Sequence, residues 1–284
     1  MKIAIDIGGT STRIAKVFGS EIKDLKIFET DVKNPWTTYN IIKEYIKKAS
    51  ESDKLEGIGL CIPGPLDLKR GMILNTHNLP GWSNMNVLDM FKKDFDVPIA
   101  FNNDANIAAL GQALVFNKSS VLFVTISTGV GAGFVIDNKI LNGYSTTACE
   151  IANAIPDLSQ GDEVKSGIEF FGSGSNIPRQ LKKRGVEVNS AKEAFDLYNT
   201  NSNEIINQYF KELEDKLVQF FSTGIYFLNP EILVVGGSVA LNNKEFFQKI
   251  FKRIAVVTKD ISFVTPCEFA KDITNATLLG CAHQ

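Results

Sequence analysis

Histidine is nearly missing from this chain: its 284 residues include two, His77 and His283. The four cysteines, Cys61, Cys149, Cys267 and Cys281, are scattered and form no CxxC pair. A Cys/His metal centre would have to be assembled from isolated ligands, against the paired spacing that such sites use. Scattered cysteines in apolar surroundings behave as small core residues and fit a reducing compartment, so the cytoplasm is the expected location. Charge of one sign is lacking as well. Lys and Arg total 30 and Asp and Glu 32, a net charge of -2. Without a basic excess, nucleic acid is excluded as the main partner. No apolar run reaches the length of a membrane span. The opening MKIAIDIGG is interrupted by Asp6 and has no small-residue cleavage site, so it reads as a first strand and not as a leader.

What is present is an ordinary globular composition, 44% hydrophobic and 22% charged. The length suits two modest lobes. Strand-like and helix-like segments alternate, which predicts an α/β architecture. IAI (3–5), RIAKVF (13–18), LKIFETDV (25–32), GIGLCI (57–62) and VPIAFN (97–102) read as strands. Tyr39, Ile42, Tyr45 and Ile46 have helical spacing, and 85–95 and 105–114 read as further helices. After residue 115 the order restarts with VLFVTI (121–126), a glycine turn and a strand FVIDNKIL (134–141). A long helix (203–228), a buried strand ILVVGG (232–237), a helix over EFFQKIFKRI and a closing helix (275–282) follow. The repeated strand, glycine turn, strand pattern suggests two lobes of related topology, 1–115 and 116–284, with a last helix at about 275–284 packing back on the first. Residues 157–172 are the least regular stretch and are expected to be a loop.

Chemistry concentrates at strand ends. Asp6-Ile7-Gly8-Gly9-Thr10 joins two strands, and glycine lets backbone N–H groups approach a phosphate closely. No Walker A lysine or following helix is present, so a tight hairpin turn is the plain alternative. Against it stand Asp6, placed to hold a hydrated Mg²⁺, and Thr10 at the turn exit. Ser127 to Gly133 is a second glycine turn, with the wrong spacing and a strand where a dinucleotide fingerprint needs a helix. Gly236-Gly237-Ser238 is a third. Three such turns in one α/β chain favour a nucleotide cleft. Asn103-Asp104-Ala105-Asn106 follows a strand at the sheet edge where ligands collect. Asp104 reads either as a helix N-cap or as a general base for an attacking hydroxyl. Glu150, set among small residues in ACEIANAIPD, reads as a solvated helix side chain or as a ligand contact.

Together these blocks resemble the ROK family of sugar kinases, within the actin-like ATPase (ribonuclease H-like) fold class. DIGGT, IPGP (62–65), NLPGW (78–82), NDAN (103–106), STGVGAG (127–133), CEIAN (149–153), GIEFFGSG (167–174) and VVGGS (234–238) match family blocks in order over nearly the whole chain. The resemblance implies a two-lobed fold with ATP and a sugar in the cleft, and the Mg²⁺ that accompanies ATP. Asp104 would deprotonate a sugar hydroxyl, that on carbon 6, of glucose or N-acetylmannosamine. Gly64, Asn103, Glu150 and Glu169 would contact the sugar and Asn78 would shape its pocket. Gly8, Gly9, Thr10, Thr128 and Gly129 would line the phosphates, and Gly236 and Gly237 the adenosine. A homodimer is the family's habit.

The chain also departs from that pattern. Where many relatives have a histidine, it has Asn153, and 154–168 contain no Cys or His. The expectation is therefore no zinc. Ser11 stands where a lysine often follows the first glycine turn, and Arg13 either replaces its charge or points away. The alternative to a kinase is a non-catalytic sugar sensor. Family repressors place a DNA-binding segment ahead of the first strand, which here begins at Met1-Lys2.

Overall fold

The computed structural model describes residues 1–160, 165–259 and 264–284. The chain runs β1 (Lys2–Ile7), β2 (Ser11–Phe18), β3 (Glu21–Glu29), α1 (Pro35–Ser52), β4 (Gly57–Cys61), a short ribbon β5 (Leu66–Asp67) and β6 (Met72–Ile73), α2 (Val87–Lys92), β7 (Ile99–Asn102) and α3 (Asp104–Phe116). It continues through β8 (Val121–Ile126), β9 (Val130–Ile136), β10 (Lys139–Ile140), α4 (Ile168–Gly172), α5 (Ile177–Lys183), α6 (Ala191–Asn199) and α7 (Glu204–Leu228). It ends with β11 (Ile232–Gly236), α8 (Ser238–Asn242), α9 (Lys244–Val257), β12 (Cys267–Phe269) and α10 (Ile273–His283).

Two compact units result: Met1–Ser119, Gly133–Ala148 and Lys271–Gln284 form the first, and Ser120–Ala132 and Cys149–Ala270 the second. A cut at 115/116 differs from this division at residues 116–119, 133–148 and 271–284, all of which belong to the first unit. For 133–148 the reason is local. Gly133 lies against the first turn of α3, where a Cβ would stand 2.6 Å from the Ala105 carbonyl oxygen. The stretch 134–141, expected as one strand, is the hairpin β9–β10, turned by Asp137 and Asn138 with φ 51 and 61. Short polar side chains tolerate that left-handed pair. Within 157–172, Leu158–Gln160 is a single 3-10 turn and Ile168–Gly172 is helical; 161–164 lie outside the described residues.

The sheet of the first unit has the order β3-β2-β1-β4-β7, antiparallel through the first three strands and parallel after them. Alternation along β1 sorts side chains by size. Ile3, Ile5 and Ile7 join the large cluster with Tyr39, Ile42 and Ile46 of α1. Ala4 faces the other way, with Ala15, Cys61, Leu278 and Cys281. The small side is forced by α10, whose backbone comes so near that a Cβ on Gly59 would fall 1.7 Å from the Cys281 carbonyl oxygen. Likewise α3 and α10 cross at glycine: a Cβ on Gly111 would meet the Ala276 carbonyl oxygen at 1.9 Å.

The second sheet has the order β10-β9-β8-β11-β12, with β8, β11 and β12 parallel. All of β11 is buried, as a parallel strand covered on both faces requires. The amphipathic helix α7 buries Ile206, Tyr209, Phe210, Leu213, Leu217, Phe221 and Ile225 at helical spacing. Its Phe210 ring lies 4.5 Å from Phe195 and 5.7 Å from Phe246, centroid to centroid. Neither α5 nor α6 is evident from hydrophobic periodicity, because both are short.

Gly111→Ala is expected to force α3 and α10 apart at the cost of about 1–3 kcal/mol. A lowered denaturant midpoint with unchanged slope is the readout; an unchanged midpoint would contradict the packing described here.

Candidate functional site

In the first unit the chemistry collects where β1, β4 and β7 end. Asp6 is the one polar side chain of β1 facing inward beside that edge. Its neighbour across the β1–β2 register is Arg13, whose Nη1 donates to Asp6 Oδ2 at 2.9 Å. Burial pushes the Asp6 carboxyl above the usual carboxylate range, while Arg13 and a hydrogen bond from the Cys61 thiol pull it back in part. Arg13 thus points at Asp6, in answer to the alternation along β2. The turn beyond is closed by the Gly8 N–H donating to the Ser11 carbonyl at 3.0 Å. Gly9 sits against the backbone of Asn78, with room for a Cβ only 3.0 Å from its carbonyl oxygen. Thr10 is exposed at the exit.

Asn103 and Asp104 divide two tasks that the sequence left competing. The N-cap of α3 is Asn103, whose Oδ1 accepts the Asn106 N–H at 2.8 Å. Asp104 is the next residue, the first within the helix. Its Oδ1 accepts the Ala105 N–H at 3.0 Å, and its side chain opens to solvent on one side. Surrounding protein raises its carboxyl above the ordinary range, the Ala105 N–H opposes that shift, and the nearby negative charge of Asp6 adds to it. Because Asn103 spends its oxygen on capping, its Nδ2 amide is the donor end of the side chain. Gly64 lies beside it: a Cβ there would be 3.9 Å from that of Asn103.

In the second unit the turn Ser127–Gly129 is braced from two directions. Gly174 N–H donates to the Ser127 carbonyl at 2.7 Å, and the Ser175 hydroxyl to the Thr128 carbonyl, also at 2.7 Å. From α4, Glu169 Oε2 accepts the Val130 N–H at 2.8 Å. A Cβ on Gly129 would stand 2.7 Å from that same oxygen. The helix carrying Glu169 is itself anchored, since the buried Tyr209 hydroxyl donates to the Phe171 carbonyl at 2.7 Å. Next to the braced turn is a cavity of about 720 Å³, lined by Thr128, Ser175, Lys192, Asp196, Ser238 and Asn243 among others. Gly237 carries the chain from β11 into α8 with φ +88, and a Cβ on it would strike the Ile126 carbonyl oxygen at 2.3 Å. The residues that follow it, Ser238 and Val239, are in the lining. Ser175, Lys192, Asp196 and Asn243 escaped the sequence reading; α6 carries two of them, and no local motif marks it.

Glu150 is exposed, one residue after Cys149, whose φ of 66 is unusual for a side chain with a Cβ. The segment after it is clamped. Asn153 Oδ1 accepts the N–H groups of Gly167 at 2.7 Å and Ser166 at 3.3 Å. Backbone bonds from Ile168 to Ala154 and from Glu169 to Ala152 continue the pairing. Asn153 therefore docks the start of α4 with an uncharged amide. Among the described residues, no group of three or more His, Cys, Asp or Glu side chains could hold a metal ion. The carboxylate of Asp6 suits a hard cation that takes its remaining ligands from phosphate and water.

The profile of the ROK family matches residues 2–283. The glucokinase of Pyrobaculum calidifontis is 26% identical over 283 residues, which cover 95% of this chain and 90% of that protein. The xylose repressor of Caldicellulosiruptor bescii is 25% identical over 319 residues, covering 98% of this chain and 76% of that protein. Among solved structures, the ROK hexokinase from Thermus thermophilus matches with a TM-score of 0.88 at 23% identity, over 99% of this chain and 96% of that one. The fold is the α/β actin-like ATPase fold. No helix among the described residues is long and apolar enough to cross a membrane.

Asn153→Ala would leave two backbone N–H groups without their acceptor and is expected to destabilise the protein by about 1–3 kcal/mol. Asn153→Asp keeps an acceptor and should lose less. Denaturant melts of both variants check this; equal losses would show that the amide oxygen is not the clamp.

Proposed function

This chain belongs to the ROK family, and from that premise we propose that it transfers the γ-phosphoryl group of ATP to the carbon-6 hydroxyl of a hexose or N-acetylhexosamine, glucose or N-acetylmannosamine. It is a sugar kinase. The observation that carries the reaction is Asp104, held at the first position of a helix capped by its neighbour, with a carboxyl raised by burial and by Asp6. Such a group is more basic than a free carboxylate and can take a hydroxyl proton as the oxygen attacks. The Asn103 amide, Gly64 and the carboxylates of Glu150 and Glu169 read the other sugar hydroxyls, with Asn78 shaping the pocket around Gly9. Polyols suit this set, because a buried polar group left unpaired by an analogue penalises that analogue.

Gly8, Gly9, Thr10, Thr128 and Gly129 face the phosphates in this reading, and the cavity beside Gly236 and Gly237 takes the adenosine. Asp6, already paired with Arg13, is the carboxylate for Mg²⁺, which when bound neutralises phosphate charge.

A second reading is favoured by the repressor relative, which this chain matches over 98% of its length: a sugar sensor without turnover. The two readings part in one assay. A panel of glucose, mannose, fructose, N-acetylmannosamine, N-acetylglucosamine and β-glucosides with ATP and Mg²⁺ should yield ADP with at least one sugar. Sugar-dependent thermal stabilisation with no ADP from any of them would replace the kinase by the sensor.

Asp104→Asn should lower kcat by about 10²- to 10⁴-fold while sugar still raises the melting temperature; retained turnover would remove Asp104 as the base. The raised carboxyl also sets a pH dependence. The base works ionised, so kcat/KM should fall as pH drops through its folded value, which lies above the usual aspartate pKa of about 3.9. An acid limb at or below that ordinary value would contradict the assignment.

A further inference from the structure

We propose that Asn142 is a positioning residue for Asp104, acting through the side-chain amide of Asn102; the proposal rests on the reading of Asp104 as the base. Asn102 is the last residue of β7 and is 5% exposed. Its Oδ1 accepts two hydrogen bonds, from the Asn103 N–H and from Asn106 Nδ2, both at 2.9 Å. Its Nδ2 donates to Asn142 Oδ1 at 2.8 Å.

The orientation of this amide follows from its partners. A backbone N–H can only donate, so the oxygen of Asn102 must face Asn103 and its NH₂ must face Asn142. Asn142 is therefore required as an acceptor. Remove that acceptor, and a buried NH₂ is left without its partner. Any rotation that finds it a new one takes the oxygen away from Asn103 and Asn106, which flank Asp104 on the first turn of α3. Asn106 has no slack to offer, because its own Oδ1 is buried without a hydrogen-bond partner.

Asn142 is well placed to be a fixed point. It follows the β9–β10 hairpin, whose Gly133 lies against the backbone of Ala105 and Asn106. Its own carbonyl accepts the Ala148 N–H at 3.1 Å, closing the loop that precedes Glu150. One residue therefore ties the strand end that carries the base, through its side chain, and the loop that leads to Glu150, through its carbonyl. Asn102 and Asn142 also border a cavity of about 390 Å³ with His283 and Gln284, so the relay is not sealed by bulk packing and depends on its hydrogen bonds.

The test compares wild type, Asn142→Ala and Asn142→Asp. Asp keeps an oxygen for Asn102 Nδ2 and Ala does not. Asn142→Ala should lower kcat by about 10- to 100-fold with the KM for ATP little changed, the cost of a base displaced by a fraction of its contact distance. Asn142→Asp should recover most of that loss. Independently of turnover, hydrogen exchange at the Asn103 backbone amide should be about tenfold faster in Asn142→Ala than in wild type or Asn142→Asp. Unchanged exchange in Asn142→Ala, or an Asp variant no better than the Ala variant, would overturn the proposal. A wild type that phosphorylates no sugar would refute the kinase reading instead, and the exchange measurement would still decide the relay.

Discussion

The cap of α3 is the interaction on which the chemistry of the first unit depends. A helix that starts at a strand end exposes backbone N–H groups that need acceptors. Asn103 supplies one from its side chain, and so Asp104 is left with the Ala105 N–H beside it and not with the cap. Two opposed forces then act on the Asp104 carboxyl. Burial and Asp6 favour its neutral form, whereas the N-terminal end of the helix favours the anion. A base needs this compromise: ionised when the substrate arrives, yet basic enough to take its proton. Had Asp104 been the cap, its charge would have been spread over the turn it held, and its basicity would have fallen.

A second constraint is closeness of backbones. The edge where Asp6, Gly9, Gly64 and Asp104 gather exists because β1, β4, α3 and α10 approach nearer than side chains normally allow. Ala4, Gly59 and Gly111 make room on one side of the sheet while isoleucines fill the other. The large side supplies most of the apolar burial. The small side sets the spacing, and the position of α3 follows from it.

The sequence disclosed these features unequally. Strands, the long helix and the glycine turns were legible because period and turn chemistry are local, and the ordered blocks from DIGGT to VVGGS pointed to the ROK family. The capping question was legible only as a choice between cap and base for Asp104, because one residue of register, which the sequence does not fix, makes Asn103 the cap. The hairpin at Asp137 and Asn138 carried a signal, two adjacent turn formers inside an apolar run, that reads as a strand when only the flanks are weighed. The helix α6 could not be found this way: nine residues with two buried positions give too little periodicity, and its value to the site lies in a cavity formed by distant segments. The return of residues 133–148 to the first unit is likewise a matter of what Gly133 meets, which no local pattern encodes.

Glu169 shows why the second unit must act as one piece. Its Oε2 holds the Val130 N–H beside Gly129, so under the kinase reading the carboxylate that reads the sugar also fixes the turn that faces the phosphates. Its helix is held at one end by the Asn153 amide and through Phe171 by the Tyr209 hydroxyl. Neither anchor is ionised or redox-active at neutral pH, in contrast to a thiolate–metal clamp, whose ligands must be deprotonated to bind. An amide anchor keeps its geometry across the pH range in which Asp104 titrates. Under the kinase reading, the acid limb of activity would then report the base alone and not an unfastening of Glu169.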